Sequence, residues 1–170
     1  MTRLPQLIQK AIAFDHGDAR RIQHFLKVYA YADLIGKLEH IPSATHTTLV
    51  TAAVLHDIGI HAAEKKYGSS CGTYQELEGP APARDILTAL DYPDTVIERV
   101  CFLIAHHHTY HDVDGLDYQI LLEADFLVNA YEDQLDKDTI CQFCQRVFRT
   151  ASGIQLLKDT FDISFKEVYL

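Results

Sequence analysis

Apolar residues recur along most of the chain at intervals of three and four, the spacing that places them on one face of an α-helix. The clearest case is a helix predicted from Asp18, a residue type favoured at N-caps, to about Lys37. Its apolar stripe consists of Ile22, Phe25, Leu26, Tyr29, Ala30, Ala32 and Leu34. No five-residue run alternates between apolar and polar residues as a β-strand would. The pattern therefore predicts an all-α protein.

Helix-starting and helix-ending residues divide the rest of the chain into further helices. One begins at Pro42-Ser43 and ends near Asp57, with Gly59 as the stop. The other predicted helices cover about 75–90, with two prolines in the first turn, 93–104, and about 118–131, which Asp117 is predicted to cap. Two more start at Asp136 or Asp138 and at Ser152. Segments 68–72 and 106–115 are predicted loops. We expect a single-domain helical bundle over residues 1–170, with its core over about 15–160.

The charge of the chain narrows the set of partners. The formal net charge is −9, from 24 acidic and 15 basic residues, and binding to a nucleic acid polymer or an anionic membrane usually requires basic patches. The N-terminal residues 1–5 lack the apolar core of a signal peptide, and no apolar stretch is long enough to span a membrane. With only four cysteines, we expect a cytoplasmic protein with reduced thiols, as a monomer or an oligomer.

Three of the predicted helices carry polar residues that would be costly to bury. His56-Asp57 closes an apolar run, Asp125 lies in the most apolar helix, and His24 lies near the core boundary of the first. Taken singly, His24 could be a satisfied boundary residue, and Asp125 could be offset by an arginine or a helix N-terminus. Taken together, imidazoles and carboxylates from three helices are suited to bind one divalent metal in the core.

The ordered set His24, His56-Asp57 and Asp125 resembles the signature of the HD-domain superfamily of metal-dependent phosphohydrolases. The flanking residues agree, in Arg21-Ile-Gln-His24, Leu55-His-Asp-Ile-Gly59 and Glu123-Ala-Asp125-Phe-Leu. The resemblance implies a helical bundle that binds one or two divalent metals, with His24, His56, Asp57 and Asp125 as the ligands. Nitrogen and oxygen ligands without thiolate suit Mn, Fe, Co, Ni, Zn or Mg.

The tract His106-His107-His108 resembles in position the histidine pair that supplies a second metal in dinuclear members of the superfamily. Those members also carry a histidine where this chain has Gln75, and a neutral amide is a poor replacement for imidazole. We therefore expect one metal and an incomplete second site. His106 and His107 are then expected near the metal as substrate contacts or proton-transfer groups, with Asp57 orienting the attacking water.

Ile60 occupies a position where other members carry Glu or Lys, so the base or the phosphate-binding cation must come from elsewhere. The candidate cations are Lys65, Lys66 and Arg84, and the candidate bases are Glu64, Glu76 and Glu78. Each of these six could equally be a solvated surface charge.

The expected function is hydrolysis of a small phosphorylated molecule, specifically a nucleotide. Two alternatives stay open. One is a dinuclear iron oxygenase of the same fold, against which Gln75 argues. The other is a regulatory module that keeps the metal and binds a nucleotide without turnover, which Ile60 favours.

Overall fold

The computed structural model describes residues 3–164, and within this range the chain forms ten α-helices and no β-strand. The helices are α1 (Leu4–Phe14), α2 (Ala19–Leu38), α3 (Ser43–Leu55), α4 (Ile60–Tyr67), α5 (Gly72–Glu78), α6 (Pro80–Ala89), α7 (Asp94–Ile104), α8 (Leu116–Glu132), α9 (Lys137–Val147) and α10 (Ala151–Phe161). The all-α class predicted from the sequence is confirmed. In the part of the chain described, no helix has both the length and the apolar character needed to cross a membrane.

Helices α2, α3 and α8 pack against one another and form the centre of the molecule. Every residue of α3 from Thr48 to Leu55 is buried, and α8 is buried continuously from Asp117 to Val128. A helix surrounded on all sides is apolar on all sides. The few polar residues within or directly after these two helices are therefore the ones whose burial needs an explanation.

Capping residues place several helix starts close to the predicted positions. Asp18 and Asp136 each accept a hydrogen bond from the backbone N–H three residues further on. Thr150 caps the last helix, which begins at Ala151, one residue before the predicted start at Ser152. Asp117 is not a cap: it lies in the first turn of α8 and forms an ion pair with Arg99.

Two parts of the prediction differ from the structure. The single helix expected over about 75–90 is divided into α5 and α6, because α5 ends at Glu78 and Pro80 begins α6. Helices α1 and α4 have no counterpart among the predicted helices, although Leu7 and Ala11 are buried and α1 packs against α3.

Gly59 lies in the turn between α3 and α4 and touches the backbone that separates α5 from α6. A Cβ atom at Gly59 would lie 2.6 Å from the backbone nitrogen of Gly79 and 2.7 Å from the carbonyl oxygen of Gln75. Only glycine allows this approach. The contact holds the end of α5 close to His56 and Asp57, which precede Gly59 by a few residues.

Candidate metal centre

The central helices bring the four predicted metal ligands together. His24 lies within α2, Asp125 lies within α8, and His56 and Asp57 directly follow α3. The Nε2 atoms of His24 and His56 lie 3.2 Å apart. Asp125 Oδ1 lies 3.2 Å from the Nε2 atom of His24 and 3.4 Å from that of His56, and Asp57 Oδ2 lies 3.5 Å from both. All four side chains therefore border one small space between three helices.

Hydrogen bonds at the far side of each ring orient the two imidazoles. His24 Nδ1 lies 2.9 Å from Glu132 Oε2, and His56 Nδ1 lies 2.9 Å from the carbonyl oxygen of Ala53. Because both partners are acceptors, each ring keeps a proton on Nδ1 and turns Nε2 toward the shared space. Nε2 is therefore the nitrogen that would give up its proton and bind a metal.

The shared space attracts positive charge. Burial alone would lower the pKa of His56, but Asp57 and Asp125 raise it to about 9. Burial would raise the pKa of both carboxyl groups, yet the neighbouring imidazoles keep the pKa of Asp57 and of Asp125 below the usual range. In the protein alone, protons on imidazoles offset the two carboxylates. A divalent cation would offset them in the same place.

The chemistry of the donors fits a divalent metal. The ligand atoms of His24, His56 and Asp57 all lie within 4.8 Å of one another, which is compatible with one ion at ligand distances of about 2.0–2.2 Å. Asp125 adds a second carboxylate, held by a 2.9 Å hydrogen bond from Asn129 Nδ2. Two carboxylates balance the charge of a divalent ion, and two imidazoles complete a donor set without thiolate.

A second group of ligand atoms adjoins the first. Asp57, His107 and His108 also have ligand atoms within 4.8 Å of one another. His107 is fully buried and its Nδ1 donates to the carbonyl oxygen of Ile104 over 2.7 Å. Its Nε2 lies 3.3 Å from Asp57 Oδ1 but has no partner with hydrogen-bond geometry in residues 3–164. A buried imidazole nitrogen without a hydrogen-bond partner fits the role of a metal ligand.

Gln75 lies next to this second group. Its Oε1 is 3.2 Å from His108 Nε2, while its Nε2 donates to the carbonyl oxygen of Ser70 over 2.7 Å. The amide therefore presents an oxygen, a potential metal ligand, toward the histidines. Burial lowers the pKa of His108 to about 4, so this imidazole is neutral and keeps a lone pair.

The structure does not bring His106 to either group. Its Nδ1 donates to the carbonyl oxygen of Phe102 over 2.7 Å, and its ring stacks on Phe102 with the centroids 4.2 Å apart. The position beside the metal that was predicted for His106 is occupied by His108. The cause is the turn after α7, where the Tyr118 hydroxyl donates to the carbonyl oxygens of both His106 and Thr109.

A cavity of about 510 Å³ opens next to the two groups, within the range of about 300–1,000 Å³ typical of small-molecule sites. Its walls include His24, Asp57, Asp125 and His108. A molecule in the cavity would therefore touch ligand atoms of both groups.

Two arginines at the start of α2 supply the positive charge in the cavity wall. Arg21 pairs with Asp18 at 2.6 Å and with Glu64 at 2.7 Å, so its charge is already offset. Arg20 is exposed and forms no ion pair with any residue in the described range 3–164. Arg20 is therefore the cation in the wall that is available to an anionic ligand.

The predicted substrate-binding cations lie elsewhere. Lys66 pairs with Glu78 at 2.8 Å, and Arg84 pairs with Glu98 at 2.6 Å. Lys65 is exposed on α4, and none of these three cations lines the cavity. Among the predicted bases, Glu64 reaches the cavity wall.

Arg20 was missed although the sequence contains a signal for it. It precedes His24 by four residues, so the two side chains lie on the same face of α2. The same spacing argument finds Glu132, which follows Asp125 by two helical turns on α8.

The helices and the convergent imidazoles and carboxylates define a helical protein suited to bind a divalent metal. Comparison with known families agrees: the HD domain model matches residues 21–147, and the chain belongs to the HD domain family, a superfamily of metal-dependent phosphohydrolases. No curated protein and no solved structure matches the chain significantly.

Proposed function

We propose that the protein is a metal-dependent phosphohydrolase that acts on a small phosphorylated molecule. The observation that carries the proposal is the convergence of His24, His56, Asp57 and Asp125 at the wall of a cavity of about 510 Å³. These four residues would hold the metal. A divalent metal in such a site supplies Lewis-acid chemistry to a phosphoryl group and to water.

The residues of the cavity have distinct roles in this proposal. Asp57 borders both the cavity and the ligand groups, so it accepts a hydrogen bond from the attacking water and orients it toward phosphorus. Arg20 binds the phosphate oxygens, because its guanidinium is not offset by a carboxylate of the described chain. A nucleotide remains our prediction for the substrate on the strength of the family resemblance, and the cavity is within the usual size range for such a ligand.

A second metal ion is part of the proposal. Asp57, His107 and His108 would hold it, with the Gln75 amide oxygen as a further ligand. The supporting observation is the buried Nε2 of His107, which has no partner of hydrogen-bond geometry among residues 3–164. An amide oxygen in place of a third imidazole shifts the preference of this site toward harder ions such as Mn²⁺ or Mg²⁺.

The test combines metal analysis with an activity assay. Purified untagged protein is analysed for bound metal and then assayed on a panel of phosphoesters that includes nucleotides and sugar phosphates. We expect release of phosphate by the wild type and loss of activity in His56→Ala and Asp57→Ala. His16→Ala and Asp85→Asn, at exposed positions away from the cavity, serve as matched controls. Equal activity in the wild type and both site variants would exclude the site.

The second ligand group also favours the alternative of a dinuclear iron oxygenase. That alternative predicts two equivalents of iron per chain and consumption of O₂ with an organic substrate. Phosphate release that is independent of O₂ would separate the two functions.

A further inference from the structure

Glu132 and Asp125 extend from the same face of α8. They are separated by seven residues, or about two turns, so both carboxylates face α2. The Glu132 side chain is only 14% exposed, and it borders the cavity. A carboxylate in this position needs partners to offset its partial burial.

The partners of Glu132 are two residues of α2. Its Oε2 lies 2.9 Å from His24 Nδ1, and its Oε1 forms an ion pair with the ammonium group of Lys27. Two other imidazoles of the site have a backbone carbonyl at the same ring position, from Ala53 for His56 and from Ile104 for His107. His24 is therefore the ring of this group whose outer nitrogen meets a charged acceptor.

We infer that Glu132 is a positioning residue for the metal centre. It holds the proton of His24 on Nδ1, fixes the rotation of the ring, and so keeps Nε2 aimed at the metal. A charged acceptor also increases the basicity of the ligating nitrogen more than a carbonyl does. This inference rests on the metal site of the proposed function, but it concerns metal affinity and not the reaction.

A structural role for Glu132 makes a different prediction. The Lys27–Glu132 pair connects α2 to α8, so Glu132 could serve only to hold these helices together. The Lys27→Met variant removes this pair and leaves the contact between Glu132 and His24 in place. The two roles are therefore separable by mutation.

The experiment measures Co²⁺ affinity by the visible absorption of the bound ion, without substrate. We expect Glu132→Ala to bind Co²⁺ roughly 10- to 100-fold more weakly than the wild type. Glu132→Gln, which keeps an oxygen acceptor but loses the charge, should fall between the two. Lys27→Met and the exposed control Glu98→Gln should stay within roughly threefold of the wild type.

A second measurement reports on the ring itself. In the Zn²⁺-loaded protein, the proton on His24 Nδ1 should exchange slowly with water in the wild type and in Lys27→Met, and fast in Glu132→Ala, as followed by ¹H–¹⁵N NMR. Equal Co²⁺ affinity in the wild type and Glu132→Ala, or equal losses in Lys27→Met and Glu132→Ala, would overturn the inference. A wild type that binds neither Co²⁺ nor Zn²⁺ would remove the metal site as well. A wild type that binds metal but hydrolyses no phosphoester would remove only the proposed function.

Discussion

Asp57 Oδ1 lies 3.3 Å from His107 Nε2, while Asp57 Oδ2 lies 3.5 Å from the Nε2 atoms of His24 and His56. The two oxygens of one carboxylate thus face two different groups of imidazoles. A carboxylate in such a position can bridge two metal ions, one on each oxygen. Asp57 is therefore the residue on which both ligand groups depend.

The first prediction concerns the number of ions bound. We expect the wild type to bind two Co²⁺ ions per chain, and His107→Ala to bind one, because this variant removes a ligand of the second group only. Asp57→Asn should lose high-affinity binding at both positions, since the amide presents one oxygen and no charge. Equilibrium dialysis followed by elemental analysis gives the ratio.

Control variants and a contrary outcome follow from the same geometry. His111→Ala lies in the same loop at an exposed position and should bind metal as the wild type does. If His107→Ala and the wild type bound the same number of ions, His107 would not be a ligand, and the second site would be lost from the proposal.

The second prediction concerns Arg20. Replacing it with alanine removes the cation of the cavity wall that no carboxylate of the described chain offsets. Because a charge-assisted hydrogen bond to phosphate contributes about 1.5–3 kcal/mol, kcat/KM for a phosphoester substrate should fall roughly 10- to 100-fold. Steady-state kinetics on the best substrate of the panel provides the measurement.

Arg84→Ala is the matched control for Arg20→Ala. Arg84 is paired with Glu98 at the surface and does not line the cavity, so its loss should leave kcat/KM unchanged. If Arg84→Ala lowered kcat/KM more than Arg20→Ala did, Arg84, as predicted from the sequence, would be the phosphate-binding cation and Arg20 would not.

Three members of the primary ligand group stand out in the sequence because each is costly to bury in or directly after an apolar helix, whereas His24 is assigned with the help of the family resemblance. His56, Asp57 and Asp125 are costly in these surroundings, and the sequence interpretation attributes all three to one shared cation. The periodicity of the apolar residues also predicted α2, α3 and α8, the helices that position the group. Local pattern was sufficient here because long, buried helices dominate the fold.

The loop residues could not be assigned in the same way. Which members of His106-His107-His108 face Asp57 depends on where α7 ends and how the next turn is held. Tyr118 in the first turn of α8, twelve residues after His106, holds that turn. The role of Arg20 depends on whether its neighbours are already paired, as Arg21 is. Helix spacing places Arg20 on the face of His24, but which side chains are already paired in the folded protein leaves no periodic signal in the sequence.

The third prediction concerns Gly72, the first residue of α5. A Cβ atom added there would lie 2.6 Å from Cγ of His108, so the imidazole must move. Gly72→Ala should weaken Co²⁺ binding by the group of Asp57, His107 and His108 roughly tenfold, which is the size of effect expected when a ligand loses its orienting contact. Binding by the group that contains His24 and His56 should be unchanged. Thr73→Ala, at the exposed neighbouring residue, is the control. Unchanged binding at both positions in Gly72→Ala would show that His108 tolerates the displacement or does not ligate.

The last prediction concerns Tyr118, which holds the loop that carries His107 and His108. Its ring is 1% exposed, and its hydroxyl donates to the carbonyl oxygens of His106 over 2.8 Å and of Thr109 over 2.6 Å. Tyr118→Phe leaves both carbonyls without this donor. We expect the free energy of unfolding to fall by about 1–3 kcal/mol at pH 8, measured by urea denaturation. The second metal should also bind more weakly than in the wild type.

The pH dependence of the stability difference between the wild type and Tyr118→Phe separates the contribution of the hydroxyl hydrogen bonds from that of ring packing. Burial raises the pKa of Tyr118 from 10.0 to about 12. The unfolded chain therefore releases this proton at a lower pH than the folded protein does. The stabilisation by Tyr118 is complete below pH 10 and is lost as the pH rises toward 12. The difference in stability between the wild type and Tyr118→Phe should accordingly narrow as the pH rises from 10 to 12. A difference that stays constant over this range would mean that the hydroxyl is not held as a buried donor.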